Sequence, residues 1–331
     1  MNISITDAAE EVLTLMKLVY LLIVTVLLAV CSLFVGVENV SFSALWNMDG
    51  EAWNIVLISR LPRMLSIIMA GASLGICGLI MQQLTQNKFV SPTTAGTMDW
   101  ARLGILVSLL FFTDASPIWK MCIAAAFALF GTLLFMGILQ RLKQKDTIFI
   151  PLVGIMLGNV VSSIATFFAL KFDLVQNMSS WLQGDFSLIM EGRYELLYLS
   201  IPLLIIAFLF ANMFTVAGMG EDFATNLGLP YKYVVNVGLI IVAIITAVVI
   251  LTVGVIPFLG LIVPNIVSMY RGDNLKNSIW HTAVLGALFL LICDIAGRLI
   301  IYPYEISVGL MVGVIGTGIF LYMLLRRKAY A

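Results

Sequence analysis

Long apolar runs alternate with short polar segments along this chain. The runs cover residues 18–37, 64–87, 89–113, 118–140, 147–170, 194–217, 233–253, 257–270, 279–298 and 306–325. Most reach the roughly 20 residues that a helix needs to cross a hydrocarbon core of about 30 Å. The pattern therefore predicts an all-α membrane protein with about ten transmembrane helices. Residues 233–270 carry no charge and are too long for one crossing. Gly254 and Pro257, both unfavourable to a continuing helix, divide them. Residues 220–230 read as a short helix outside the membrane. Its acidic pair Glu221-Asp222 suits a helix start, and Gly228-Leu-Pro230 provides the stop. The other long connection, 171–195, carries Trp181 and Phe186 and is expected at the membrane interface, where aromatic residues settle.

Composition agrees with the pattern. Hydrophobic residues make up 61% of the chain and charged residues 11%, against about 25% charged in soluble domains. In water such a fold would expose large apolar patches. An even number of spans puts both termini on one side. With the N-terminus inside, eleven Lys and Arg residues fall on the inner side and six outside, with Arg102 inside a span. Cytoplasmic loops are the basic ones, so the reading is N-in and C-in, anchored by Arg326-Arg327-Lys328. The run from Leu18 is a full span long and reads as a retained helix rather than a cleaved signal. A net charge of zero signals no nucleic-acid partner.

Enzyme chemistry has no visible apparatus. The chain contains no GxxxxGK[ST] or HExxH pattern, its single histidine is His281, and its four cysteines stand singly in apolar runs. No metal site is expected. Charges within spans are informative because lipid disfavours them. Asp99 and Arg102 are three apart, and Asp294 and Arg298 four apart, spacings that allow pairing on one helix face. Each pair either neutralises itself or marks a polar cavity or partner surface. Arg60 and Arg63 flank Pro62 where the second span begins. The helix dipole disfavours cations there and the outer loops are normally poor in them, so these two are expected to serve something beyond the helix, a carboxylate-bearing partner or lipid phosphate. Gly71, Gly75 and Gly78 allow close helix approach in lipid.

Six motifs in order resemble the FecCD family, the permease subunits of iron–siderophore, haem and cobalamin ABC importers, from about Arg60 to Leu325. They are Arg60-Leu-Pro-Arg63 with Gly71-Ala-Ser-Leu74, Gly78 and Gln82; Asn87-Lys-Phe-Val-Ser-Pro92 with Gly96; Trp181-Leu-Gln-Gly184; Ala224 with Leu227-Gly228; Gly254-Val-Ile-Pro-Phe-Leu-Gly-Leu-Ile-Val-Pro264; and Asp294, Arg298, Glu305 and Val308-Gly309. Two positions depart from the family pattern: Lys88 stands where it often has Pro, and Asn265 where it often has His. The Lys88 variant, with the segment from Thr94 to Arg102, looks like a branch that handles catecholate or mixed siderophores.

The resemblance implies a BtuC-like importer permease fold in a bacterial cell membrane. A second permease chain, identical or paralogous, would complete the pathway. Two separate ATPase subunits would bind and hydrolyse ATP, so this chain would itself hold no cofactor and not be an enzyme. An extracellular substrate-binding lipoprotein or periplasmic protein would deliver a ferric siderophore. By resemblance, Arg60, Arg63 and Arg298 would receive acidic residues of that protein. Gly220, Glu221, Asp222, Ala224, Leu227 and Gly228 would form the coupling element seated on the ATPase. Gln82, Asp99 and Arg102 are candidates for lining the pathway. The alternatives are haem or cobalamin as cargo, an ion-coupled secondary transporter, and, disfavoured, a membrane-embedded enzyme.

Overall fold

The computed structural model describes residues 5–36, 43, 46, 47, 50–141, 149–176, 178, 183–192 and 194–327, of which 5–15, 117, 140, 326 and 327 are described by backbone alone. Trp181 and Lys328, and the counted loop cations Lys143, Lys145 and Arg193, lie outside these residues. The described chain is helical. Helix α1 spans Ile5–Phe34. Helix α2, Gly50–Ile55, runs through a π turn, Val56–Arg60, into α3, Leu61–Leu84. Then follow α4 (Thr97–Phe111), α5 (Pro117–Arg141), α6 (Phe149–Lys171), a 3₁₀ turn (Glu195–Leu199), α7 (Ser200–Leu209), α8 (Ala211–Ala217), α9 (Glu221–Asn226), α10 (Tyr231–Val253), α11 (Leu259–Arg271), α12 (Leu275–Leu299) and α13 (Val308–Arg327).

Among the described residues seven helices are long and apolar enough to cross a membrane. An eighth crossing results if the 3₁₀ turn with α7 and the helix α8, bent by 60°, form one span. The two remaining expected crossings contain short helices, α4 of 15 residues and α11 of 13. At 1.5 Å per residue these reach about 22 and about 20 Å, less than a hydrocarbon core. The expected span 89–113 therefore begins as non-helical chain. Its backbone is satisfied by its own side chains: Phe89 N–H donates to Asn87 Oδ1 at 2.9 Å, Ser91 N–H to Thr94 Oγ1 at 2.8 Å, and the Thr94 hydroxyl to the Phe89 carbonyl at 3.1 Å. Irregular backbone survives at membrane depth only where it is satisfied in this way and covered by protein.

The bundle is built around α3 and α10, the most enclosed of the long helices. Helix α3 runs antiparallel to α12 and parallel to α11. A Cβ on Gly71 would meet the backbone of Gly286, and one on Gly78 would collide with the backbone of Gly260. The small residues of α3 thus let three backbones come together, as lipid-embedded helices require. Helices α1, α6 and α13 are mostly exposed in the single chain.

Candidate functional site

The motif residues gather at the two ends of the bundle. At one end, which the loop charges assign to the outside, α3 begins and α12 ends. Pro62 lacks an N–H, and the ladder just before it slips to a π turn closed by Leu61 N–H on Val56 O. Because helix runs on from Gly50, Arg60 and Arg63 lie inside it and not at its start. The expected dipole penalty therefore does not arise.

What the guanidiniums do is different from an exposed rim. Arg60, Arg63 and Arg298 are only 8%, 9% and 4% exposed. Arg63 donates through Nε and Nη2 to Asp294 Oδ1 at 3.1 and 2.7 Å, and through Nη1 to Glu305 Oε2 at 2.7 Å. Arg298 donates to the other Asp294 oxygen, to the Ser32 hydroxyl, and to the carbonyls of Ser32 and Val35 at 3.1 and 2.6 Å. Arg60 also donates to the Val35 carbonyl. Those carbonyls close the last turn of α1, where four backbone acceptors lack helical partners and the dipole is negative. Asp294, fully buried, is shared by two arginines. The expected i,i+4 pair Asp294–Arg298 is present, extended into a four-residue network with Arg63 and Glu305 whose charges balance. The three guanidiniums are thus buried, not outward-facing: Arg63 and Arg298 pair with acids of their own chain and Arg60 with a backbone carbonyl, because burying an unpaired charge would cost several kcal/mol.

Three of the six motifs meet beside this network. Gly309 N–H donates to the Gly184 carbonyl at 2.8 Å. A Cβ on Gly309 would press on the carbonyls of Gln183 and Val255, and Gly184 takes a positive φ of 63°. The loop after residue 183 is therefore wedged between the α10–α11 connection and the start of α13.

At the opposite end α9 projects from the α8–α10 connection. Its stop signal works as the sequence implies. Leu229 N–H bonds to Ala224 O and Gly228 N–H to Thr225 O, the paired bonds of a Schellman stop, with Gly228 at a φ of 78°. Ala224 is buried, whereas Glu221, Asp222, Phe223, Leu227 and Gly228 are exposed. Exposed Phe223 and Leu227 give this short helix an apolar outer face.

Next to α9 lies a cavity of about 440 Å³ lined by Gln82, Gln83, Gln86, Asn87, Lys88, Thr215, Gly218, Ser268, Asp273 and neighbouring residues. Gln82 is buried and donates to the Leu261 carbonyl at 3.2 Å. Lys88 pairs with Asp273 at 2.8 Å, and Asn265 Nδ2 donates to the Lys88 carbonyl at 2.8 Å. The two positions that depart from the family pattern are thus in direct contact, fastening the turn after α3 to α11 and its following turn.

The second expected charge pair does not form. Arg102 donates to Ser162 Oγ on α6 at 3.1 Å, and among the described residues no ion pair joins it to Asp99. Asp99 sits in the first turn of α4, where the dipole favours it, and faces Gly158 of α6. Neither residue lines the cavity with Gln82. Sequence reasoning missed another feature. Asn159, Ser163 and Thr166 form an exposed polar stripe along the largely apolar α6. Ser163 and Thr166 bond back to their own helix at 2.8 Å. The signal was present as polar residues at i, i+4 and i+7 within a span.

Known proteins place this geometry. The profile of the FecCD transport family matches residues 21–326. The petrobactin import system permease protein YclN of Bacillus subtilis (strain 168) is 68% identical over 96% of this chain and 100% of its own length. The ferric-anguibactin transport system permease protein FatD of Vibrio anguillarum (strain ATCC 68554 / 775) is 40% identical over 90% of this chain and 95% of its own. Among solved structures, an inward-facing conformation of a metal-chelate type ABC transporter superposes with a TM-score of 0.79 at 22% identity, covering 94% of this chain and 99% of that one. That likeness carries the fold, and the sequence matches carry the family: this chain is a member of the FecCD transport family.

Proposed function

We propose that this chain is the permease subunit of an ATP-binding-cassette importer that carries a ferric siderophore of the petrobactin type into the cytoplasm. The observation that carries the reading is the 68% identity, over essentially the whole of both chains, to a permease named for petrobactin import. A relative named for vitamin B12 import is far more distant, at 30%, which favours a siderophore over cobalamin as cargo. Haem has no comparable support.

In this reading the pathway forms between this chain and a second permease chain. The stripe Asn159-Ser163-Thr166 faces it, because an exposed asparagine amide in mid-span is disfavoured against lipid. Helix α9 seats on an ATPase subunit through Phe223 and Leu227 and is held to the bundle by buried Ala224. The Gln82 cavity gives the neighbouring turns room to move when α9 is pushed. The substrate-binding protein docks at the end holding Arg63, Glu305 and Arg298. Growth is the test. A strain lacking its own petrobactin permease and carrying this gene should grow on ferric petrobactin as sole iron source and should fail on haem. Growth on haem alone would contradict the reading.

A further inference from the structure

Arg63 has two acidic partners of unequal standing. Asp294 is fully buried and also holds Arg298, so pulling Arg63 from it would strand charge in the core. Glu305 is different. Its side chain is 27% exposed, and its contact to Arg63 Nη1 is one bond of 2.7 Å. It sits in the short connection between α12 and α13, after the exposed residues Ile300, Ile301, Tyr302 and Tyr304. That connection presents an apolar and aromatic surface with one exchangeable ion pair at its base.

We infer that Glu305 is a built-in stand-in for a carboxylate that a docking protein brings to Arg63. In the undocked permease Glu305 neutralises the outward side of Arg63. On docking, a partner acid takes its place on Nη1 while Asp294 keeps Nε and Nη2. The guanidinium is oriented beforehand by Asp294 and stays paired throughout. The carboxylate of Glu305 turns to water, where it is readily hydrated. The surface therefore fits a protein partner with an exposed acidic residue beside apolar side chains that can cover Tyr302 and Tyr304. This inference rests on the proposal that a substrate-binding protein docks at this end.

Glu305 is a competitor in this arrangement, so its removal should help docking. The experiment measures binding of the substrate-binding protein of the system to the permease–ATPase complex in lipid nanodiscs at several salt concentrations. Glu305→Gln should tighten binding about fivefold, the range of a partly exposed ion pair, mainly by slowing dissociation. Glu305→Asp, whose shorter arm reaches Arg63 poorly, should give a smaller gain in the same direction and serves if the first variant folds badly. Unchanged or weaker binding in both variants would overturn the stand-in role. Wild-type binding by a stably folded Arg63→Gln complex would instead overturn the docking site on which the inference rests.

Discussion

At the scale of single residues, the network around Asp294 shows how burial grades the worth of charges. Asp294 neutralises two guanidiniums in a fully buried site, whereas Glu305 neutralises one near the surface. Breaking a buried ion pair by removing one partner destabilises by about 3–5 kcal/mol, but an exposed pair contributes about 1 kcal/mol or less. Asp294→Asn should therefore lower the unfolding free energy of the detergent-solubilised protein by about 3–5 kcal/mol, read by denaturant titration. Glu305→Gln should change it by about 1 kcal/mol or less. Equal effects would show that Asp294 is not the shared counter-ion. The sequence announced this site through the spacing of Asp294 and Arg298 and the oddly placed Arg60 and Arg63. It did not announce that Arg63 belongs to Asp294, because that contact spans 231 positions and depends on the antiparallel packing of α3 on α12. Asp99 and Arg102 teach the converse. Their spacing permitted a pair, yet Ser162 of a neighbouring helix offered Arg102 a partner and the helix start accommodated Asp99.

At the scale of elements, hydropathy placed the long helices well and the broken ones poorly. Tyr231–Val253 and Leu275–Leu299 lie close to the expected spans 233–253 and 279–298. The expected helix from 89 begins instead at Thr97, because Asn87, Ser91 and Thr94 satisfy a turn with their own side chains. Apolar content measures the transfer of a segment into lipid and is blind to that local capping. The corner at Phe210 also has no breaker: neither Pro nor Gly stands there, and the ring packs against Phe214 and Tyr233. Small residues were the better guide. Gly78→Leu should push α3 off α11, lowering the yield of folded protein and its melting temperature. Gly137→Leu, where an added side chain meets open space, should leave both unchanged. Comparable losses in the two variants, measured by fluorescence-detected size exclusion and thermal unfolding, would contradict the backbone-to-backbone packing of α3.

At the scale of the whole molecule, the chain divides its labour between its ends. One end is a neutralised charge network under an apolar and aromatic loop. The other is a short helix with exposed Phe223 and Leu227 beside a polar cavity. Between them runs α6, whose polar stripe is left facing outward by a single chain. In the proposed function each of these surfaces is covered, by a delivering protein, an ATPase and a second permease chain. The absence of a nucleotide-binding motif in the sequence fits the same division.

Reconstitution tests that division directly. Proteoliposomes holding this permease, its paired permease chain and ATPase should accumulate ferric siderophore when the binding protein is outside and ATP is inside. Uptake should cease when a non-hydrolysable ATP analogue replaces ATP. Uptake that persists without ATP and follows an imposed proton or sodium gradient would contradict the ATP-driven permease and favour an ion-coupled carrier.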